Sequence, residues 1–372
     1  MDNKNVFVAI ALSMSVLLFW GAFFEQPKPI DENISLVQTK KKVVGENNIA
    51  PNINQNLKIE TISRKESVNK VERVGIENNN IIGSISLQGA LIDDVSFKNY
   101  KQNLRDDNNI EFLNPKETEN GFFVETGWTS IGNQIKVPSS NSIWSVKGNK
   151  FLSFNNPIIL QWDNEEGIVF QKKIQIDEKY LFTISQIVKN NTNSSIDLYP
   201  YAQITRNKVP DDIQNFYISH EGFIGVFDEE LKEDDYDDIE EKKIVREANS
   251  GWLGITDKYW MTAIVPKKGE NFKSTFLYKD AFKANYILNN PTTVNPSSSG
   301  SNEVRLFVAA KEVETIDAYA TDQKIDKLDL VIDWGWFYFF TKPLFFIIDY
   351  LFKLSGNFGI AIVLITLSIR ML

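Results

Sequence analysis

The sequences IVFQKKIQI (Ile168–Ile176) and YLFTISQIV (Tyr180–Val188) decide the fold class, because both are rich in residues that favour β-strands. The turn-forming sequence NNTN (residues 190–193) follows the second run. Similar runs, separated by Gly, Asn and Asp, recur between residues 71 and 327. We therefore predict a mainly β protein, with one large antiparallel β-sandwich over residues 71–327 rather than a parallel sheet. The further runs are GSISLQG (Gly83–Gly89), Ile196–Ile204 and Val304–Ala309, and a short helix is predicted over Glu312–Ala320.

The composition excludes several classes of function. The 372 residues carry 40 Lys and Arg against 49 Asp and Glu, which gives a formal net charge of -9. An acidic chain does not offset phosphate repulsion, so we expect no nucleic-acid partner. The absence of Cys excludes disulfides, thiolate zinc sites and Cys nucleophiles, and the single His220 excludes a His-rich metal site.

The N-terminal run Val6–Phe24 is uncharged and long enough to cross a hydrocarbon core of about 30 Å. A cleaved signal peptide is the alternative, but bulky Phe residues stand where small ones would precede a cleavage site. We predict a transmembrane helix over residues 6–24 and, from the charge before it, a cytoplasmic N-terminus over residues 1–5. Residues 25–70 are polar and lack periodicity, which predicts a flexible linker between this helix and the folded domain.

Residues 334–355 begin with the aromatic cluster WGWFYFF, which suits the headgroup region of a bilayer. Lys342, Asp349 and Lys353 follow at spacings of seven and four, which places them on one face of a helix. Pro343 can occupy the first turn of that helix. A wide apolar face with a narrow charged strip predicts a helix in the membrane interface, and an amphipathic helix packed on a soluble domain is the alternative.

Gly356 can end the interfacial helix, and residues 357–372 then begin a second transmembrane helix. Arg370 lies within this apolar segment, and Thr366 precedes it by one turn on the same face. An intramembrane Arg is costly unless it faces protein or a water-filled cavity, which is the reading we favour. The alternative is that Arg370 marks the end of a short span and snorkels to the interface. Because the sequence stops inside this helix, we expect it to be a fragment.

Three further features are weaker candidates for function. The acidic run 228–241 lacks the pattern of an EF-hand loop and is expected to be a solvated surface loop. His220 could act as a general base, but an isolated His is more often structural. Trp252 and Trp260 could stack on sugars, and a place in the core of the sandwich is the alternative.

Both ends of the chain resemble the YidC/Oxa/Alb family of membrane protein insertases. Residues 1–20 resemble the family's N-terminal anchor. The more specific match is DWGWFYFFTKPLFFIIDYLFKLSGNFGIAIVLITLSIR (Asp333–Arg370), which resembles the segment from the periplasmic domain through an interfacial helix into the second transmembrane helix. The middle of the chain matches more loosely. The residues that carry the resemblance are Gly335-Trp336, Pro343-Leu344-Phe345, Gly356-Asn357, Gly359, Thr366 and Arg370.

The resemblance implies a periplasmic β-supersandwich similar to sugar mutarotases, in a multi-pass protein of the bacterial inner membrane. It implies five membrane helices around a hydrophilic groove, where Arg370 contacts polar segments of substrates and Thr366 lines the wall. The implied function is insertion and folding of inner-membrane proteins, alone or with the Sec translocon. The implied partners are nascent inner-membrane proteins, Sec components and the lipid bilayer. No enzyme activity, catalytic residue, metal or cofactor is implied.

Two other functions remain open from the sequence. The first is a membrane-anchored periplasmic sandwich that binds glycans or envelope partners, which the Trp residues and the strand pattern suggest. The second is a mutarotase-like enzyme, which we rank last because His220 has no obvious acid or base partner in the sequence.

Overall fold

The computed structural model describes residues 61–371 except 104, 106, 134, 212, 214–218 and 336. The predicted transmembrane helix over residues 6–24 and most of the predicted linker lie outside the described residues.

The last part of the predicted linker is a helix, α1 (Arg64–Lys70), and the prediction of a flexible segment is wrong there. Ser63 and Glu66 form a capping box, in which the Ser63 side chain accepts a hydrogen bond from the Glu66 backbone N–H and the Glu66 side chain accepts one from the Ser63 backbone N–H. Arg64 fixes the helix to the sandwich through an ion pair of 2.6 Å with Asp94. Local capping and the long-range ion pairs of Arg64 with Asp94 and Glu111 therefore outweigh the polar composition.

Among the described residues, twenty strands and several short helices follow α1. In chain order the strands are β1 (Arg73–Glu77), β2 (Ile81–Ser86), β3 (Leu91–Lys101), β4 (Asn109–Leu113), β5 (Phe122–Thr129), β6 (Ser145–Lys147), β7 (Phe151–Leu152), β8 (Ile158–Asp163), β9 (Ile168–Ile176), β10 (Leu181–Asn190), β11 (Ile196–Arg206), β12 (Gly222–Phe227), β13 (Glu230–Asp234), β14 (Ile244–Ala248), β15 (Gly251–Thr256), β16 (Trp260–Pro266), β17 (Phe272–Tyr278), β18 (Phe282–Leu288), β19 (Thr292–Val294) and β20 (Ser298–Ala310).

The described strands form two sheets. The first has 11 strands, in the order β14-β17-β18-β11-β5-β3-β2-β1-β7, with β19 paired to β11 and β4 to β3. The second has 9 strands, in the order β13-β12-β15-β16-β20-β10-β9-β8-β6. Strand pairs are antiparallel except for the short parallel pair of β1 and β7. The prediction of a mainly β fold built from antiparallel strands is confirmed.

The two runs that decided the fold class form a hairpin of β9 and β10. Ile174 lies opposite Ile184, and Phe170 lies opposite Val188. All four side chains are buried in one core, and each contributes roughly 1.5–3 kcal/mol by leaving water. Alternation along each strand therefore directs one row of side chains into the sandwich.

Aromatic side chains join the two sheets across the core. Phe223 of β12 contacts Phe276 of β17, with ring centroids 5.0 Å apart. Trp260 of β16 stacks on Phe97 of β3 at the same distance. Such contacts between the inner faces of two sheets define a sandwich.

Four further helices lie after β13 in the part of the chain that the structure describes. They are α2 (Tyr236–Glu241), α3 (Val313–Asp322), α4 (Tyr338–Ser355) and α5 (Phe358–Met371), with a short 3₁₀ turn over Leu328–Val331 between α3 and α4. The short helix predicted over Glu312–Ala320 corresponds to α3.

The acidic run 228–241 is not the expected loop. It forms strand β13 and helix α2. Tyr236 and Ile239 are buried in the core, and Asp234 forms an ion pair of 2.8 Å with Arg246. Two apolar anchors within the acidic sequence therefore fold the segment onto the sandwich.

Candidate functional site

The charged residues of α4 hold this helix against the sandwich. The Nζ atom of Lys342 lies 3.0 Å from Asp317 Oδ1 and 3.5 Å from Asp329 Oδ2. The Nζ atom of Lys353 lies 2.5 Å from Glu314 Oε1. Glu314 and Asp317 belong to α3, so the two lysines connect α4 to the end of the sandwich domain.

Asp349 also belongs to the charged face. Its Oδ2 atom lies 2.8 Å from the Nζ atom of Lys353, one helical turn later. Burial lowers the pKa of Lys342, but the hydrogen bonds and charges of Asp317 and Asp329 outweigh it and raise that pKa above its usual value. Hydrogen bonds from Lys353 to Asp349 and Glu314 raise the pKa of Lys353 as well. Both lysines are therefore charged at neutral pH.

The ends of α4 are fixed by local contacts. At the start, Thr341 Oγ1 donates a hydrogen bond of 2.8 Å to the Trp334 carbonyl oxygen. The sequence suggested that Pro343 lies in the first turn of the helix. The helix begins at Tyr338, however, and Pro343 lies in its second turn. At the end, Gly356 has φ +65°, and its N–H donates to the Phe352 carbonyl oxygen, as expected for a glycine that ends a helix.

An apolar stripe runs along one flank of α4 and is exposed. Its members recur at helical spacing, and each keeps at least 40% of its accessible surface exposed. Tyr350 is 66% exposed and Leu354 is 72% exposed. Large contiguous apolar surfaces of this kind mark sites of interaction with a protein or a membrane. The apolar stripe consists of Phe339, Phe346, Ile347, Tyr350 and Leu354.

Helix α5 follows after a short connection and packs on α4. Asn357 Oδ1 accepts a hydrogen bond of 3.2 Å from the Ile360 N–H, which caps the start of α5. Ala361 and Ile365 are the buried residues of α5, and the two helices contact each other. On α4, Leu344 is half-buried, whereas Phe345 is exposed and its ring contacts that of Trp334.

Thr366 and Arg370 lie on an exposed face of α5, one turn apart. Thr366 Oγ1 donates a hydrogen bond of 2.7 Å to the Ile362 carbonyl oxygen of its own helix. Arg370 is exposed and forms no ion pair with any described residue. In the described ranges, no helix combines the length and the apolar character required to cross a bilayer.

The weaker candidates from the sequence have structural roles. The Nε2 atom of His220 is 2.9 Å from the Phe223 carbonyl oxygen, and its Nδ1 atom is 3.4 Å from Asp235 Oδ1. Trp252 is fully buried and donates a hydrogen bond of 3.1 Å from Nε1 to the Asp326 carbonyl oxygen. Trp260 packs on Phe97 within the sandwich. Trp252 therefore presents no stacking surface, whereas Trp260 is half-buried and lines a cleft of about 490 Å³.

A cluster of buried charged groups escaped the sequence reasoning. Lys172 occupies a core-facing position of β9, and burial lowers its pKa to about 8. Its Nζ atom lies 4.9 Å from the centre of the Trp144 ring. Burial raises the pKa of Glu125, and the Tyr201 hydroxyl donates a weak hydrogen bond of 3.5 Å to it. The sequence did contain a signal for this cluster, because Lys172 stands where the alternation of β9 predicts an apolar residue.

No group of three metal-ligating side chains occurs among the residues described here. The strongest candidate for a functional site is therefore the pair of helices α4 and α5. It presents an exposed apolar stripe on a helix that is ionically attached to a folded domain, followed by an exposed Arg on a second helix.

Comparison with known proteins places the chain in a family. Residues 73–347 match the family described as the YidC periplasmic domain. A protein of Pelagibacter ubique named membrane protein insertase YidC is 43% identical over 371 residues, covering 100% of this chain and 66% of the relative. The protein of the same name from Brucella melitensis is 34% identical over 402 residues, with the same coverage. The chain thus spans about two thirds of the length of these relatives.

The similarity to solved structures is more distant. A galactose mutarotase related enzyme from Lactobacillus acidophilus aligns with a TM-score of 0.45 and 14% identity, over 64% of this chain and 97% of that one. A putative aldose 1-epimerase from Escherichia coli aligns with a TM-score of 0.41 and 8% identity, over 64% of this chain and 99% of that one.

Proposed function

The chain belongs to the YidC family of membrane protein insertases, and we propose that the protein inserts and folds proteins of the bacterial inner membrane. In this proposal the sandwich lies in the periplasm, α4 lies in the outer interface of the bilayer, and α5 is the beginning of a membrane helix that lines the insertion path. The names of the relatives support the activity, and the geometry of α4 supports its placement.

The observation that carries the proposal is the division of α4 into a charged face and an apolar stripe. Lys342 and Lys353 contact carboxylates of the sandwich domain, while Tyr350 and Leu354 remain exposed. A helix with this division fits a bilayer surface, because aromatic and aliphatic side chains enter the acyl boundary while the charged side stays outside. The alternative of a helix fully packed on a soluble domain does not account for the exposed apolar stripe.

Arg370 is the residue that we propose contacts substrates. A charged residue in hydrocarbon costs at least a few kcal/mol unless it faces water or protein. A hydrophilic groove that contains Arg370 would shorten the distance over which the polar segment beside a substrate's apolar helix crosses hydrocarbon. An acidic segment would pair transiently with the Arg370 guanidinium as it crosses. Thr366, one turn earlier on the same face, would line the same path. The process needs no covalent step, because burial of the apolar helix of the substrate drives it.

The partners that follow are nascent inner-membrane proteins, the lipid bilayer and, for some substrates, components of the Sec translocon. The proposed topology has a cytoplasmic N-terminus and several membrane helices. Cooperation with Sec rests on the resemblance alone, whereas the bilayer contact also rests on the apolar stripe of α4.

Site-specific photo-cross-linking in the full-length protein tests the proposal. Cross-linkers at Thr366 and Arg370 are expected to capture a radiolabelled nascent inner-membrane protein during its synthesis. Leu364, which is exposed on the opposite side of α5, serves as the matched control and is expected to capture lipid instead of substrate. Absence of substrate adducts at both test positions, or equal adducts at Leu364, would refute the role of this face.

A further inference from the structure

Lys283 is a buried lysine that does not belong to the sandwich core. Its neighbours on β18, Phe282 and Ala284, point into the core. Because side chains alternate along a strand, Lys283 points to the opposite face of the 11-stranded sheet. It nevertheless retains only 6% of its accessible surface. The residue is thus enclosed on a face where a lysine would ordinarily reach solvent.

The surroundings of Lys283 form a cleft of about 350 Å³. Its base is a row of three residues on adjacent strands, in which Thr205 of β11 lies between Lys283 of β18 and Phe123 of β5. Lys116 and Asn207 contribute to the wall. This cleft, which we call the Lys283 cleft, contains none of the residues of α4 or α5.

The charges that line the Lys283 cleft leave Lys283 without a partner. Lys208 contacts Glu119 at 2.9 Å, and Glu117 accepts a hydrogen bond from Ser67. Lys283 forms no hydrogen bond or ion pair with any described residue, and burial lowers its pKa. Glu125 lies on the same face and attracts Lys283 only from a distance. The charged residues of the lining are Lys116, Lys208, Lys279, Lys283, Glu117, Glu119 and Asp280.

We propose that the Lys283 cleft binds a small oxyanion, that is, a phosphate or carboxylate group. The ammonium group of Lys283 faces the cleft without a protein partner, and an oxyanion there would supply the missing charge and hydrogen bonds. Lys283 and Lys116 would each donate from Nζ. The Thr205 hydroxyl accepts a hydrogen bond from Gln203 Nε2 at 3.2 Å, which leaves its own proton free to donate to the ligand.

Titration of the full chain in detergent with inorganic phosphate, at constant ionic strength, tests this proposal. The readout is the ¹³Cε NMR signal of Lys283, assigned by comparison with Lys283→Met. We expect saturable binding that raises the pKa of Lys283, because the ligand favours its charged form. Lys283→Met should weaken binding at least tenfold, and Lys283→Arg should retain most of it. Lys189→Met, which removes an exposed lysine of β10 outside the cleft, should leave binding unchanged.

Two results would overturn the proposal. One is a wild-type chain that shows no saturable response to phosphate. The other is equal weakening in Lys283→Met and Lys189→Met, which would indicate a general effect of charge. If Lys283→Met fails to fold, Thr205→Ala replaces it, with an expected loss of about threefold in affinity. Competition by acetate identifies a carboxylate ligand, and competition by glycerol 1-phosphate identifies a lipid headgroup; both support an oxyanion site.

Discussion

The ion pair between Lys342 and Asp317 should fix α4 more firmly than the shorter pair between Lys353 and Glu314. The side chains of Lys342 and Asp317 are 24% and 30% exposed, whereas those of Lys353 and Glu314 are 56% and 67% exposed. At 3.0 Å and an effective dielectric constant of about 20, the Coulomb attraction of the first pair is about 5.5 kcal/mol. Desolvation and lost side-chain freedom cancel most of it, which leaves a coupling of about 1 kcal/mol.

Hydrogen exchange of the backbone amides of α4, measured with the chain in lipid vesicles, checks this expectation. Lys342→Met should speed local opening about fivefold, since 1.4 kcal/mol corresponds to about a factor of ten. A double-mutant cycle with Asp317→Asn isolates the pair from other effects of each substitution. Lys353→Met is the control on the same face and should have a smaller effect because water screens it. Unchanged protection in Lys342→Met, or a larger effect in Lys353→Met, would refute the reasoning.

Three other outcomes are expected. Leu354→Ser removes part of the apolar stripe and should lower the exchange protection of α4 in vesicles about tenfold, because about 1–2 kcal/mol of membrane contact is lost. Ile143→Ser, at a similarly exposed position of the sandwich, should leave the exchange protection of α4 unchanged. Gly356→Ala places a side chain at φ +65° and should speed opening of the last turn of α4 about fivefold, for a cost of about 1 kcal/mol. Burial lowers the pKa of Lys172 to about 8, below its unfolded value of 10.5. Between these two pH values the folded state therefore binds fewer protons than the unfolded state. The free energy of unfolding in urea should therefore rise from pH 8 to pH 10, with a smaller slope in Lys172→Met.

Much of the fold could be predicted, because strand alternation is a local signal. The hairpin of β9 and β10 follows from two runs of β-forming residues that bury one row of side chains. The helix α1 was missed because its stability depends on the pair Arg64–Asp94, whose members are distant in sequence. The acidic run was missed for a related reason, since burial of Tyr236 and Ile239 outweighs the surrounding charges.

The candidate site was only partly accessible to sequence reasoning. Helical spacing predicts that Lys342, Asp349 and Lys353 share one face, and in the structure Lys342 contacts Asp317 while Lys353 contacts Asp349. It could not indicate that this face contacts α3, because the carboxylate partners come from another element. The burial of Lys283 could not be predicted from the sequence either, because it depends on the register of β11 and β18, which places Lys283 beside Thr205.

The most direct test of the account is the membrane depth of Tyr350. The chain has no Cys, so a single Cys at position 350 can carry a fluorescent label without competition. In vesicles, the account predicts quenching by lipids that carry a shallow spin label and protection from aqueous iodide. A label at Ile143, an exposed residue of the sandwich, should show the reverse. Quenching of the label at position 350 by iodide, to the same extent as the label at position 143, would contradict the placement of α4 in the bilayer interface.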